Sequence, residues 1–235
     1  MMPDELHEYL DTNPDIIVNE VDYLKKVTNL LKTVDARILT NYIVWRYTSA
    51  WSLQLGSRYD DILQDFLRVL IGKEVKSPRW KDCSATASSH MGDAASALYA
   101  RKYFNTKDKK AVLDMIKDLH DAFREMVSEN DWMDEQTKKI AIEKSKAMQS
   151  LIGYPDFVLS DKKLDDYYKL VRRLDDVFWQ LKLEQGDTYA SMAQKTTKWA
   201  QNYWFRKLIE PVDRTEFEFS SSTVNAFYAP PKNAI

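Results

Sequence analysis

The chain has 235 residues, of which 44% are hydrophobic and 30% charged, so it can bury a core and is not of a disordered composition. Its 34 basic and 36 acidic residues leave a net charge of −2, which gives no electrostatic reason to expect a nucleic-acid partner. Cys83 is the only cysteine, which excludes an internal disulfide and a cysteine-based zinc site, and a lone cysteine is ordinarily a buried thiol.

No apolar run approaches the ~20 residues that span a bilayer. The first residues are acidic, whereas a signal peptide begins with basic residues followed by an apolar run. We therefore expect no membrane segment in this chain and no signal of its own for secretion.

Apolar residues recur at helical spacing along most of the chain. The pattern predicts helices at about 22–32, 35–53, 59–70 and 78–103, and Gly72 is placed to end the third. Asn105 is placed to cap a further helix, whose apolar stripe we expect to be core. The stripe consists of Val112, Met115, Ile116, Leu119, Phe123 and Met126.

Further helices are predicted at about 131–152 and 164–170, with a longer one through residues 177–193. A dense aromatic group follows, which could line a cleft but is more typical of a core. It comprises Trp199, Tyr203, Trp204 and Phe205. Beyond Pro211 the composition changes to the aromatic and β-branched residues of strands, and Pro230-Pro231 supplies a turn. This tail predicts a strand, a turn and the start of a second strand.

The tail carries a resemblance to a known family. Val224-Asn225-Ala226-Phe227-Tyr228, with Asn233-Ala234-Ile235 after the turn, resembles the substrate-edge strand of the neprilysin and endothelin-converting-enzyme family of zinc metallopeptidases. The resemblance implies that the Asn225 side chain and the Ala226 backbone hold an extended oligopeptide by strand-like hydrogen bonds. Edge addition of this kind binds many peptides, because every peptide offers the same backbone groups.

Upstream segments are similar to the same family. Trp132-Met133-Asp134 with Thr137-Lys138, and then Ile152-Gly153-Tyr154-Pro155, resemble its non-catalytic helical lobe, as do Trp45-Arg46 and Ala97-Leu98-Tyr99. The resemblance covers nearly the whole chain from about Tyr23. It further implies that Cys83 occupies a family disulfide position whose partner is absent here, and that the complete enzyme is extracellular or a membrane-anchored ectodomain.

A peptidase of this family requires His-Glu-x-x-His, in which two imidazoles bind zinc and the glutamate activates water. The sequence does not contain this motif. Its nearest string begins at His7-Glu8 and has Asp11 where the second histidine belongs, so we interpret it as surface. His90 and His120 have no second imidazole one turn away, and we expect them to be packing residues. The complete family enzyme uses zinc, and we expect this chain to bind none.

These observations predict a mainly α fold, a multi-helix lobe with a short β-hairpin start at the C-terminus. We expect residues 1–210 to form the helical non-catalytic lobe and residues 211–235 to begin the catalytic domain. Because the chain stops inside a predicted hairpin, we expect a fragment. Because it lacks the zinc ligands and the general base, we expect it to be inactive alone. Two functions remain open: part of a neprilysin-like zinc metalloendopeptidase that cleaves oligopeptides, or a non-catalytic helical module that binds a peptide or protein.

Overall fold

The structure is a computed structural model that describes residues 4–52, 55–169 and 181–235. Its described residues contain ten α-helices and one short 3₁₀ turn, Asp156–Leu159. The helices are α1 (Asp4–Asp11), α2 (Val21–Thr33), α3 (Ala36–Ala50), α4 (Ser57–Ile71), α5 (Arg79–His90), α6 (Gly92–Tyr103), α7 (Thr106–Glu129), α8 (Glu135–Lys146), α9 (Asp161–Lys169) and α10 (Tyr189–Arg206). The prediction of a mainly α fold is confirmed.

Capping residues explain where several helices begin and end. The side chains of Asp35, Asn105, Asp134 and Thr188 each accept a hydrogen bond from a backbone N–H in the first turn of α3, α7, α8 and α10 respectively. These bonds satisfy N–H groups that have no partner within the helix. Gly72 ends α4 at a left-handed φ of 69°, as its position in the sequence predicts.

Three predicted helix boundaries are wrong. The helix expected over 78–103 is two helices, because the chain leaves helical geometry at Met91, where φ is −128° and ψ is 51°. Tertiary hydrogen bonds meet the chain just after the break: Ala94 N–H donates to the Tyr168 hydroxyl at 3.2 Å, and the Ser220 hydroxyl donates to the Gly92 carbonyl at 3.3 Å. Periodicity alone could not show these distant partners.

The helix expected over 131–152 ends at Lys146 instead, and the segment after it pairs with the C-terminal tail. The helix expected over 177–193 falls partly on residues 170–180, which lie outside the described residues. Its described part is not helical from 181 to 188, because Asp187 closes a turn there before α10 begins at Tyr189. Local hydrogen bonds at both places override the helical pattern.

The chain divides into two compact units. One unit, His7–Asp82, includes α2, α3 and α4, and none of these helices has a buried residue. Within it, the Gln64 side-chain amide donates to the Lys73 carbonyl at 2.5 Å and holds the loop after α4 against that helix.

The other unit contains Cys83–Ile235 and the first residues of the chain, and its core has two parts. In the first, Ala97 and Ala100 of α6 pack against Tyr154 and the fully buried Val158. In the second, Trp199 and Tyr203 of α10 pack against Tyr167 and Tyr168 of α9. The expectation that the aromatic group is core is confirmed for Trp199 and Tyr203, whereas Trp204 is 60% exposed.

The apolar stripe of α7 is exposed, so the expectation that it is core is wrong for this chain. Met115, Leu119 and Met126 are each more than 60% exposed, and Val112 and Phe123 about two-fifths or more. The periodicity identifies the helix correctly, but within the described residues no element buries this face.

The predicted β-hairpin start is also wrong, since no strand occurs among the described residues. Two isolated bridges stand in its place: Ala229 with Ala234 across the Pro230-Pro231 turn, and Gln149 with Ala234. Strand-forming composition becomes a strand only when a neighbouring backbone pairs with it, and residues 224–228 have no such neighbour among the described residues. The assignment of 1–210 and 211–235 to two domains stays a prediction.

Candidate peptide-binding segment

The C-terminal turn is anchored to the residues that follow α8. Gln149 N–H donates to the Asn233 carbonyl at 2.9 Å, Ile235 N–H donates to the Gln149 carbonyl at 2.9 Å, and Leu151 N–H donates to the Ile235 carbonyl at 2.6 Å. Asn233 adds two side-chain bonds, because its Nδ2 donates to the Lys144 carbonyl at 3.0 Å and its Oδ1 accepts from the Tyr228 hydroxyl at 3.0 Å. The end of the tail therefore has a fixed position in its unit.

The guanidinium of Arg214 stabilises this arrangement. Arg214 Nε donates to the Lys232 carbonyl at 2.7 Å, while its Nη2 donates to the Ala147 carbonyl at 2.6 Å and to the Asn233 carbonyl at 3.4 Å. Lys232 in turn donates to the Glu216 carbonyl at 3.1 Å and pairs with the Glu218 carboxylate at 3.2 Å. These bonds connect both ends of the tail segment to the end of α8.

The stretch between these anchors, Val224 to Tyr228, leaves its backbone unpaired. None of its N–H or C=O groups makes a backbone hydrogen bond within the described part of the chain. Asn225 and Ala226 are exposed, and the Asn225 side-chain carbonyl accepts from the Ala226 N–H at 2.8 Å. The residues that the resemblance assigns to substrate binding thus lie on an accessible segment whose backbone groups, apart from the Ala226 N–H, make no hydrogen bond among the described residues.

An apolar cleft of about 490 Å³ lies beside this segment. Asn225, Ala226 and Phe227 form one part of its wall. Other parts of the wall come from the residue that follows α6, from α7 and from the loop after α8, and include Phe104, Val112, Ile116, Leu151 and Ile152. A cleft of this volume can accept side chains of a peptide whose backbone pairs with the segment.

The histidines do not form a metal site. His7 is exposed, His90 Nδ1 is 3.0 Å from the Thr196 hydroxyl, and His120 Nδ1 is 3.1 Å from the Ser145 hydroxyl. Within the described ranges, no group of three or more His, Cys, Asp or Glu side chains is placed to hold a metal ion. These residues therefore do not fit the zinc that the family uses, and no catalytic step is derived through it.

Two further site features differ from expectation or were missed. Cys83 is exposed, so the interpretation of a buried thiol is wrong. The sequence also contains no indication of Arg214, and it points to Asn233 only through the resemblance, without its anchoring role. Asn233 lies at a left-handed φ of 49° in the turn after Pro230-Pro231, and an asparagine in such a turn was an available signal. Nothing in the local sequence marks Arg214, because its partners lie up to 67 positions away.

Comparison with known proteins shows the family of this chain. A family model described as Peptidase family M13 matches residues 2–155, about two thirds of the chain. The chain belongs to peptidase family M13. It is 44% identical over 230 residues to Neprilysin-1 of Caenorhabditis elegans, covering 98% of this chain and 29% of that protein. It is 29% identical over 221 residues to human Endothelin-converting enzyme 1, covering 94% of this chain and 27% of that protein.

Solved structures agree on the fold. The zinc metalloprotease Zmp1 of Mycobacterium tuberculosis in complex with an inhibitor matches with a TM-score of 0.73 and 26% identity, covering 93% of this chain and 30% of that one. The M13 chain thus spans less than a third of the length of each of these relatives. No helix among the described residues combines the length and apolar character that crossing a membrane would need.

Proposed function

We propose that this M13 chain is part of a neprilysin-like zinc metalloendopeptidase that cleaves oligopeptides, and that it contributes the segment that holds the peptide. The observation that carries the proposal is the unpaired backbone from Val224 to Tyr228 beside an apolar cleft. In the complete enzyme, zinc and the general base would come from residues other than those described. Family relatives support an extracellular or membrane-anchored location, since one human relative, 31% identical over 235 residues, is named Membrane metallo-endopeptidase-like 1.

The segment would recognise backbone rather than sequence. A peptide lying along it can donate to its free carbonyls and accept from its free N–H groups. The Ala226 N–H is satisfied by the Asn225 side chain in the free protein, so a peptide carbonyl would exchange with that side chain or share it. Asn225 then becomes available to the peptide backbone, which gives this residue its proposed role.

Binding to the 235-residue chain tests this role. A fluorescent extended oligopeptide should bind, and the same peptide with alternate amides N-methylated should bind at least several-fold more weakly, because methylation removes its donors. Asn225→Ala should weaken binding of the unmethylated peptide by roughly two- to tenfold, since a net hydrogen bond contributes about 0.5–1.5 kcal/mol. Asn41→Ala, at an exposed asparagine of α3, is the matched control and should leave binding unchanged.

Equal affinity for the two peptides would contradict backbone recognition. Reduced stability of Asn225→Ala with unchanged affinity would show instead that Asn225 only ties its own segment together, as its bond to Ala226 N–H already does. In a full-length enzyme, the same substitution should lower kcat/KM several-fold with little change in Tm.

The second candidate is a helical module that binds a peptide or protein without hydrolysing it. The unpaired segment beside the apolar cleft carries this candidate too, because it can hold a peptide whether or not the peptide is cleaved. Sequencing the transcript beyond codon 235 separates the two candidates. His-Glu-x-x-His within a few tens of codons supports the peptidase, and a stop codon at that place supports the binding module.

A further inference from the structure

A second cavity, of about 440 Å³, lies in the same unit and is lined by aromatic rings and carboxylates. Its walls come from the end of α5 with His90, from the start of α6, from α9, from α10 and from residues 216–223. The rings of Tyr168, Trp199, Tyr203 and Trp204 contribute to its surface. Its volume suits a group the size of an amino-acid side chain with part of its backbone.

One wall of this cavity combines packed rings with a carboxylate. The Tyr203 hydroxyl donates to Glu216, and the rings of Tyr203 and Tyr167 pack together with centroids 5.5 Å apart. Lys207 Nζ pairs with the other Glu216 oxygen at 3.0 Å. Lys232 pairs with Glu218, the third carboxylate of the wall. The described ion pairs thus supply two cations to three carboxylates, and one negative charge is uncompensated when all three acids are ionised.

Asp93 is the carboxylate without a cation. It makes no ion pair within the part of the chain that the structure describes, although it is half-buried. Burial raises the pKa of the Asp93 carboxyl; the Tyr167 hydroxyl opposes this rise, and the negative charge of Glu216 adds to it. A cation placed beside Asp93 would relieve both the desolvation and the repulsion.

The aromatic rings provide a second attraction for a cation. Lys207 Nζ lies 4.9 Å from the centroid of the Tyr203 ring, and Arg206 Cζ lies 5.9 Å from it. The negative face of an aromatic ring attracts cations at such distances, and more strongly where water is excluded. Trp204 offers a further ring, which is largely exposed.

We propose that this cavity binds an organic cation of the guanidinium or ammonium class, presented as the arginine or lysine side chain of a peptide, with Asp93 as its counter-ion. The proposal concerns a site separate from the backbone groups of residues 224–228 and needs no hydrolysis. It therefore stands or falls independently of the peptidase function.

The test uses the 235-residue chain and small probes read by calorimetry. N-acetyl-arginine amide should bind, and N-acetyl-citrulline amide, which has nearly the same shape without the charge, should bind about tenfold or more weakly. N-acetylagmatine, a guanidinium of the same single charge without a peptide backbone, is the second arm, and binding tighter than that of the arginine probe would reject the assignment to a peptide side chain. Equal binding of the arginine and citrulline probes, or no binding of either, would overturn the proposal.

Asp93→Asn keeps the shape of the side chain and removes its charge. It should weaken binding of the arginine probe about tenfold and leave binding of the citrulline probe unchanged. Asp114→Asn, at an exposed aspartate of α7, is the matched control for net charge and should change neither. If both variants weaken the arginine probe equally, the effect is general electrostatics and the site assignment is wrong. The arginine and citrulline comparison needs no variant, so it decides the matter even if Asp93→Asn does not fold.

Discussion

At the residue scale, the missing side chain of Gly153 leaves room for the ring of Phe104. Gly153 has a left-handed φ of 76°, and a Cβ built on it would lie 2.5 Å from Phe104 Cζ. Tyr154, the next residue, packs edge-on against the same ring with centroids 5.1 Å apart. The Ile-Gly-Tyr-Pro segment that helps to mark the family therefore packs in the core of its unit.

Gly153→Ala should lower the free energy of unfolding by about 1–3 kcal/mol, because it adds both backbone strain and a clash with a packed ring. Gly186→Ala is the matched control, since no atom lies within 4 Å of the Cβ it would add and its φ is not in the left-handed region. Urea denaturation of the two variants measures the difference. Equal small effects would show that neither the clash with Phe104 nor the backbone strain at Gly153 is costly.

Asp187 gives the clearest pH dependence at the residue scale. Its pKa is lowered to about 2 by Lys195 above all, and then by the Glu184 N–H and the Ser191 hydroxyl. Because the folded pKa is below the ordinary 3.8, the stabilisation is complete above about pH 4 and is lost as the pH falls toward 2. The turn before α10 should weaken in that window.

Asp187→Asn should therefore lower Tm at neutral pH, and its difference from the unmodified chain should shrink as the pH falls from about 4 to about 2. Asp165→Asn, at an exposed aspartate of α9, should show no such convergence. Melting curves at several pH values provide the measurement. A Tm difference that stays constant through this window would contradict the assigned pKa.

At the scale of elements, Arg214 holds the tail to the end of α8 by three carbonyl contacts. Arg214→Gln should loosen the turn at residues 229–235 and speed hydrogen exchange at the Gln149 and Leu151 amides, whose acceptors are in that turn. Arg214→Lys should restore part of the protection of these amides. It keeps the positive charge but lacks the several N–H donors that the planar guanidinium directs at different carbonyls. Arg58→Gln, at an exposed arginine of α4, is the control. Unchanged exchange in Arg214→Gln would show that the bridge between Gln149 and Ala234 is enough to hold the turn.

How much the sequence predicts also differs between elements. The helix periodicity and the caps at Asp35 and Asn105 are local, and the structure agrees with them. The break at Met91 and the early end of α8 depend on Tyr168, Ser220 and the tail, all far away in sequence. The same holds for the candidate site: a motif points to Asn225, whereas the anchors that fix its segment are long-range contacts.

At the scale of the whole molecule, two valines differ widely in burial. Val158 is fully buried between α6 and α9, whereas Val112 on the apolar stripe of α7 is 40% exposed. Val158→Ala should cost about 2 kcal/mol of unfolding free energy, because it removes two buried methyl groups and leaves a cavity. Val112→Ala should change stability by no more than about 0.5 kcal/mol. Comparable losses in denaturant titrations would mean that the stripe is covered in solution.

The central claim is that residues 224–228 of this M13 chain hold a peptide by its backbone. Hydrogen exchange of the individual amides, with and without a saturating extended oligopeptide, tests it most directly. Binding should slow hydrogen exchange at amides within Val224 to Tyr228, Ala226 among them, while the exchange rates of the α7 amides stay unchanged. Peptide binding that leaves these five amides unprotected, or that protects only α7, would contradict it.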